Sequence, residues 1–245
     1  MTRAALVTGA GGAIGGAIAR SLAAAGYRVG LCDRDPAVEE VSAGIGDGSA
    51  WRVFDVADRH ASERAIDELA TELDTPFDTL VAAAAIVDNI APAPEFPPEA
   101  WERELAVNLS GAFWCARMLS GGMRERGFGR IVLISSTGGT RGQPNQIAYA
   151  TSKAGVLGMM RTLASELAPV GVTCNAILPG VIATPRVLAW EESASSLRVR
   201  IPVGRLGETD EVAALVRFLC SDDAAYVTGA CIPVDGGLWL NAIHS

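Results

Sequence analysis

Short apolar runs alternate with helical patterns along the chain, and this alternation limits the possible folds more than any other feature. Most of the runs are continuously apolar, as expected for strands covered on both faces. Helical spacing separates them, as in Ile14, Ile18 and Leu22, a pattern that Gly26 closes as a C′ residue. Because parallel strands need crossover connections, the pattern predicts a doubly wound parallel α/β sheet with helices on both faces. About seven strands are expected: AALVT (4–8), YRVGLCD (27–33), AWRVFD (50–55), DTLVAAAA (78–85), RIVLIS (130–135), VTCNAIL (172–178) and ACIPVD (230–235).

The composition bounds the domain count and the kinds of partner. No linker interrupts the 245 residues, and the Pro-rich stretch 91–101 is expected to be a loop leading into a helix, so one domain over 1–245 is predicted. The net charge of −8 argues against nucleic acid and anionic membranes, which bind clustered positive charge. The 5 scattered cysteines favour reduced thiols over disulfides or a metal site. With no secretory leader and no apolar run of the ~20 residues that a membrane span needs, we expect a soluble cytoplasmic protein.

A glycine-rich turn, TGAGGAIGG at residues 8–16, follows the first predicted strand and opens the first predicted helix. Gly9, Gly11, Gly12 and Gly15 would let backbone N–H groups approach a pyrophosphate at the positive end of that helix. A glycine run alone is weak evidence, since it also suits a flexible turn. Its place between a strand and an amphipathic helix favours a dinucleotide-binding site.

Asp33 ends the second predicted strand, 18 residues after Gly15. A carboxylate there accepts hydrogen bonds from the adenosine ribose hydroxyls and repels a 2′-phosphate, which favours NAD over NADP. Arg34 is the opposing signal, because a guanidinium suits a 2′-phosphate. NAD is still preferred, since position 12 is glycine and offers no second positive charge.

Hydride transfer to a carbonyl needs a proton partner, and the usual histidine is hard to find here. His60 lies in a polar run and His244 lies next to the last residue, and there is no GxSxG elbow. Tyr149 and Lys153 stand four residues apart in a predicted helix that ends near Pro169, so they share a face. Lys153 is the only lysine among the 20 basic residues. An ammonium one turn away would favour the phenolate and lower the tyrosine pKa.

Over essentially its whole length the chain resembles the short-chain dehydrogenase/reductase family. The motifs that carry the resemblance keep the family's order, and Ser136 precedes Tyr149 by the family's usual 13 residues. In chain order they are TGxxxxxG at 8–15, Asp33, DV at 55–56, Asn108 in AVNLSGAF, IVLISS ending at Ser136, YATSK at 149–153, NAILPGVIATP at 175–185, IPVGRLGETDEVA at 201–213 and VDGG at 234–237.

The resemblance implies a Rossmann-type domain and a catalytic set of Asn108, Ser136, Tyr149 and Lys153. Tyr149 would be the general acid or base, Ser136 would hydrogen-bond the reacting oxygen, and Lys153 would hold the nicotinamide ribose and lower the tyrosine pKa. Asn108 would support a water chain from Lys153 to solvent. A homotetramer is also the family habit. The implied cofactor-binding residues are Gly9, Gly12, Ala13, Ile14, Gly15, Asp33, Arg34, Asp55, Val56, Ala83, Ala84, Tyr149, Lys153, Pro179, Gly180, Ile182 and Thr184.

Structural explanations exist for several of these residues. Ser136 would serve as a strand cap, Asn108 as a buried helix polar group, and Thr184 as an N-cap before Pro185. The chain also departs from the family pattern. Ala13 adds a methyl where the fingerprint has its middle glycine, and AAAA at 82–85 replaces the usual NNAG, so only backbone contact is expected there.

Three functional hypotheses remain from the sequence. The first is an NAD-dependent oxidoreductase that interconverts a secondary alcohol and its ketone. The second is an NADPH-dependent reductase of 3-oxoacyl thioesters, and the third is a non-catalytic dinucleotide sensor, which the intact catalytic set disfavours. The substrate loop is expected at about 185–203, where Leu188, Trp190, Leu197 and Val199 lie near Arg186.

Overall fold

A parallel sheet of seven strands, in the order β3-β2-β1-β4-β5-β6-β7, organises the chain in the computed structural model. The model describes residues 2–189 and 198–240. The strand order of the sheet reverses between β1 and β4, and doubly wound sheets open a ligand crevice at such a point. The strands are β1 (Ala4–Thr8), β2 (Arg28–Asp33), β3 (Ser49–Val53), β4 (Thr79–Ala82), β5 (Gly129–Ile134), β6 (Val172–Pro179) and β7 (Cys231–Val234).

Helices cover both faces of the sheet, as the continuous apolar strands predict. They are α1 (Ala13–Ala24), α2 (Val38–Ile45), α3 (Arg59–Glu72), α4 (Pro98–Leu105), α5 (Ala112–Arg126), α6 (Gly138–Arg141), α7 (Ile147–Leu167), α8 (Pro185–Leu188) and α9 (Thr209–Cys220). One core layer packs α1, α2 and α9 against the sheet, and the other packs α3, α5 and α7 against the opposite face. The predicted doubly wound α/β architecture is confirmed.

Individual element ends follow local chemistry. Gly26 has φ +88°, so α1 does end in a glycine in the left-handed region. Pro98 is the first residue of α4, where a missing N–H removes no hydrogen bond. The fourth strand is shorter than predicted and ends at Ala82, because the next two backbone amides turn to the Thr8 hydroxyl, both at 3.2 Å.

A π-helical turn, Ala106–Gly111, joins α4 to α5 without a break in the helical path. Nothing in the apolar periodicity of this segment predicts it. Turns of this kind are rare and often occur at functional sites. This one contains Asn108, and it therefore sets the direction of a predicted catalytic side chain.

Some sequence predictions fall outside the described residues. Trp190 and Leu197 of the expected substrate loop lie there, as does His244. Leu188 and Val199, on either side of the gap, have exposed side chains. Within residues 2–189 and 198–240 no helix has the length and apolar character needed to span a membrane.

Candidate active site

A cavity of about 640 Å³ opens at the carboxyl ends of the strands, across the point where the strand order reverses. Every predicted cofactor-binding residue lines it, and so do three of the four predicted catalytic residues. Asn108 is the exception, because it lies behind the cavity wall and is 1% exposed. The topology therefore brings together residues that are up to 175 positions apart in sequence, from Gly9 to Thr184.

The glycine turn forms one end of the cavity at the N-terminus of α1. Gly9 has φ +70°, and a Cβ there would lie 2.7 Å from the backbone of Ala84. A Cβ on Gly15 would lie 2.1 Å from the Gly9 carbonyl oxygen, whereas one on Gly12 would be 3.3 Å from the same atom. No side chain caps α1, and no acidic residue stands in its first turn. The free N–H groups and close packing fit the pyrophosphate of a dinucleotide.

Ala13 and Ile14 begin α1 and both line the cavity. The extra methyl of Ala13 is accommodated at the first helical position, in a partly exposed side chain. The departure from the family's middle glycine therefore leaves the helix start intact.

Asp33 lies at the end of β2 beside this turn, with its carboxylate already ordered. Oδ2 accepts a hydrogen bond from the Gly11 amide at 2.9 Å, and Oδ1 accepts one from the Asp35 amide at 2.9 Å. Carboxylate oxygens accept more than one hydrogen bond, so ribose hydroxyls can still bind. Arg34, the next residue, is exposed at the rim of the same cavity.

Asp55 and Val56 follow β3 and form the adjacent wall. The Asp55 carboxylate accepts hydrogen bonds from the Arg103 guanidinium and from the Ala57 amide, the latter at 2.9 Å. Burial pushes the pKa of Asp55 upward, but these hydrogen bonds outweigh it and leave the pKa below its usual value. The carboxylate is therefore committed to holding this wall in place.

Ser136 and Tyr149 meet at the other end of the cavity. Ser136 follows β5, and its hydroxyl oxygen accepts a hydrogen bond from the Gly138 amide at 3.0 Å and lies close enough to the Tyr149 phenol to lower its pKa. Ser136 thus does act as a local cap, and the same residue also lines the cavity. The two hydroxyls form a pair that can hydrogen-bond a carbonyl or alcohol oxygen.

Lys153 lies one turn along α7 and is 2% exposed. Its ammonium donates a hydrogen bond to the Ile134 carbonyl at 2.8 Å and lies 5.7 Å from the centre of the Tyr149 ring. Burial lowers the pKa of Lys153 from 10.5 to about 8, because no anion compensates the loss of water around the charge. This lysine titrates close to neutral pH.

The Tyr149 pKa differs from the sequence expectation. Burial raises it above 10.0, and the nearby Ser136 hydroxyl reverses only part of that rise. The Lys153 charge does not offset the burial, because its ammonium is turned toward the Ile134 carbonyl. The spacing of four residues correctly predicts that the two groups share a face, whereas it does not reveal how strongly each is desolvated.

Asn108 connects three elements by its side chain. Its amide oxygen accepts a hydrogen bond from the Ile86 amide at 2.7 Å, and its amide nitrogen donates to the Ile86 carbonyl at 2.9 Å. A third hydrogen bond of 3.2 Å reaches the Ser152 hydroxyl on α7. The side chain is thus a buried brace between the segment after β4 and the helix that bears Tyr149. Its role in a water chain stays a prediction.

The alanines after β4 need support from elsewhere, because their side chains carry no polar group. Thr8 provides this support, because its hydroxyl oxygen accepts hydrogen bonds from the backbone amides of Ala83 and Ala84. Ala84 also packs against Gly9, so the segment follows the glycine turn closely. The missing asparagines of the family pattern are replaced by side chains on neighbouring elements.

The segment after β6 closes the cavity. Pro179 ends β6, and Ile182 pairs with Gly207 in a short parallel bridge. The Thr184 hydroxyl caps α8 by accepting a hydrogen bond from the Val187 amide at 3.4 Å, as the prediction of an N-cap before Pro185 states. Thr184 also lines the cavity. Capping and cofactor contact are compatible, since the hydroxyl can still donate a hydrogen bond.

Several cavity residues were not predicted from the sequence. Phe54, Ile86, Val87 and Val107 line it; Ile86 and Val87 belong to no motif, and Val107 lies in AVNLSGAF without having been singled out. Their common signal is position, since they follow a strand or precede Asn108 by one residue. Val56, Ile86 and Val107 form a small apolar cluster of their own below the cavity.

Taken together, a glycine turn at a helix N-terminus, a carboxylate at the end of β2 and a paired serine and tyrosine beside a buried lysine define a nucleotide-dependent oxidoreductase. A family model described as enoyl-(acyl carrier protein) reductase matches residues 9–239. The chain belongs to the short-chain dehydrogenase/reductase family, and it is an NAD(P)-dependent enzyme of the class that acts on CH–OH groups.

Relatives and solved structures agree with this assignment. The chain is 43% identical to the acetoacetyl-CoA reductase of Rhizobium meliloti (strain 1021) over 247 residues, which is 98% of this chain and 100% of the relative. It is 38% identical to the (3R)-3-hydroxyacyl-CoA dehydrogenase of Mus musculus over 253 residues, 96% of each protein. A structure from Beutenbergia cavernae, assigned as an NAD(P)-dependent gluconate 5-dehydrogenase and solved with NADP at low occupancy, is 39% identical, has a TM-score of 0.91 and matches over 97% of both chains.

Proposed function

We propose that the protein is an NAD-dependent oxidoreductase that interconverts a secondary alcohol and its ketone. One observation carries the proposal: a single cavity holds the paired Ser136 and Tyr149 hydroxyls and Lys153 at one end and Asp33 at the other. The bound nicotinamide would supply or accept the hydride. The chain's own residues would bind the reacting oxygen and move its proton.

The proton chemistry follows from the placement of these side chains in the cavity. In reduction, Ser136 donates to the carbonyl oxygen and Tyr149 gives its proton to the same oxygen as negative charge develops there. In oxidation, the Tyr149 phenolate accepts the proton of the alcohol. Lys153, whose pKa burial lowers to about 8, lies one helical turn away and would return a proton to the tyrosine between turnovers through water, because its ammonium is turned to the Ile134 carbonyl.

The choice of NAD rests on Asp33. Its carboxylate is ordered by two backbone amides at the end of β2, where dinucleotide-binding folds hold the adenosine ribose, so a 2′-phosphate there would meet a fixed negative charge. Arg34 is exposed at the rim and lies within electrostatic reach of the Asp55 carboxylate.

A second candidate is an NADPH-dependent reductase of 3-oxoacyl thioesters. The similarity to an acetoacetyl-CoA reductase favours it, as does the Arg34 guanidinium at the cavity rim. It shares the Tyr149 chemistry with the first candidate and differs in the cofactor and the substrate. The two candidates can therefore be separated without changing the mechanism.

The deciding experiment crosses two cofactors with a panel of substrates. For reduction, NADH or NADPH is mixed with acetoacetyl-CoA. For oxidation, NAD or NADP is mixed with 3-hydroxybutyryl-CoA, gluconate, polyols and simple secondary alcohols. Absorbance at 340 nm reports the reduced cofactor in both directions. We expect turnover with NAD or NADH, and a fall of ~10²-fold or more in Tyr149→Phe with unchanged NAD-dependent thermal stabilisation. Turnover with NADPH alone would replace the first candidate by the second. Silence across the panel would favour a dinucleotide sensor.

We also propose that the chain forms a single domain, acts in the cytoplasm and assembles as a homotetramer, the assembly that the resemblance to the family implies. Phe113 on α5 and Ile147 on α7 support the assembly, since each leaves 40% of a large apolar side chain exposed. Light scattering after size exclusion tests it, and a monomeric mass at micromolar concentration would contradict it.

A further inference from the structure

Glu104 is a buried carboxylate that the proposed reaction does not use. It lies on α4, one helical turn before Asn108, and is 0% exposed. Its Oε1 accepts hydrogen bonds from the amides of Asp88 and Asn89 at 3.0 and 3.3 Å. Its Oε2 is buried and has no hydrogen-bond partner among the described residues. A buried carboxylate oxygen of this kind is costly for stability, so it calls for a reason.

The segment that Glu104 holds is a wall of the active-site cavity. Asn108 pairs with both backbone groups of Ile86, and the Arg186 guanidinium donates to the Val87 carbonyl. Glu104 binds the two amides that follow. Four consecutive residues, 86–89, are therefore fixed by three polar side chains from different parts of the fold, and Ile86 and Val87 line the cavity directly.

Glu104 also lies within electrostatic reach of Tyr149, and its helix α4 packs against α7, which bears that tyrosine. The charged groups around it are Asp88 from the segment after β4 and Arg186 from α8. The groups around the Tyr149 phenol are Ser136, Glu104 and Arg186, while Lys153 is turned to the Ile134 carbonyl. Burial raises the Glu104 pKa, and the Glu104 charge adds to the rise of the Tyr149 pKa.

We propose that Glu104 is a positioning residue that fixes the cavity wall by one oxygen and, through its buried negative charge, sets the pH at which Tyr149 exchanges its proton. The role rests on the proposed function of Tyr149 as general acid and base. The effect on Tyr149 requires the negative charge of a carboxylate, whereas a neutral side-chain amide is enough to hold the cavity wall. Glu104→Gln therefore separates the two, because its side-chain oxygen can still accept the Asp88 and Asn89 amides.

Tyrosinate absorbance measures the effect without a substrate. The absorbance at 295 nm is followed from pH 7 to 11 for each protein and for its Tyr149→Phe counterpart, and the difference isolates this phenol among 3 tyrosines. We expect the Tyr149 midpoint to move to lower pH by about half a unit or more in Glu104→Gln, as expected from removing a nearby charge in a medium of low dielectric. Glu102→Gln is the matched control, since it removes an exposed charge from the same helix and should leave the midpoint unchanged.

An unchanged midpoint in Glu104→Gln, up to the pH where either protein unfolds, would overturn the proposal. If this variant does not fold, Glu104→Met fills a similar volume without charge and carries the same expectation. Failure here is distinct from failure of the proposed function, which would show instead as turnover that survives in Tyr149→Phe. The basic limb of kcat should shift in the same direction once an active substrate is found, with the KM for NAD unchanged.

Discussion

Lys153→Met should change how the stability of this protein depends on pH. The ammonium is 2% exposed, and burial lowers its pKa from 10.5 to about 8. The folded chain therefore loses this proton near pH 8, whereas the unfolded chain keeps it until about pH 10.5. Below pH 8 both states are charged, and the folded state bears the full cost of a buried ammonium, about 3 kcal/mol at 1.36 kcal/mol for each pKa unit. That cost fades as the pH rises from 8 to 10.5.

The difference in unfolding free energy between wild type and Lys153→Met isolates this effect, since other titrating groups are common to both. Linkage predicts that wild type gains about 2 kcal/mol on the variant between pH 7 and pH 9.5. Urea unfolding followed by circular dichroism at several pH values measures it. Arg161→Met, which removes an exposed cation from the same helix, is the control and should show no such trend. A pH-independent difference for Lys153→Met would refute the burial argument.

Four further substitutions test the cavity. Gly15→Ala places a Cβ 2.1 Å from the Gly9 carbonyl oxygen and should lower the free energy of unfolding in urea by about 1–3 kcal/mol. Gly12→Ala is the control, since its Cβ would lie 3.3 Å from the same oxygen and should be nearly neutral. Equal losses for the two variants would contradict the geometry. Thr8→Val keeps the shape but removes the acceptor of two amides after β4, so we expect a loss of about 1–3 kcal/mol and weaker NAD-dependent stabilisation in a thermal shift. Lys153→Arg should abolish turnover, because a planar guanidinium cannot replace the compact ammonium. Circular dichroism should show that the fold is intact. Near-normal activity would show that charge alone suffices.

The sheet was predictable because each strand is a continuous apolar run that can be recognised from its own residues. Seven continuous apolar runs become the seven strands, and Gly26 and Pro98 mark helix ends by backbone restrictions that act within one residue. The end of β4 was placed too late, since Ala83 and Ala84 are as apolar as the strand itself. What stops the strand is the Thr8 hydroxyl, which is distant in sequence and invisible to any local pattern.

Proximity in the site was predictable, but its energetics were not. The spacing of Tyr149 and Lys153 places both on one face, and Asp33 falls at the strand end where dinucleotide-binding folds hold a ribose. Desolvation depends on everything packed around a group, so the raised pKa of Tyr149 does not follow from its neighbour alone. Glu104 looks in sequence like any charged residue of an amphipathic helix, because nothing local shows that its turn faces inward.

The buried lone lysine also makes the chain a reporter of its own unfolding. A lysine-specific protease has one possible cleavage site, and that site lies inside α7 with the side chain 2% exposed. Cleavage there requires α7 to open, so the rate at which two fragments appear follows the population of opened molecules. Amine-reactive labels meet the same restriction, because the described chain presents no lysine at its surface and such reagents would mark this side chain only in molecules that have opened.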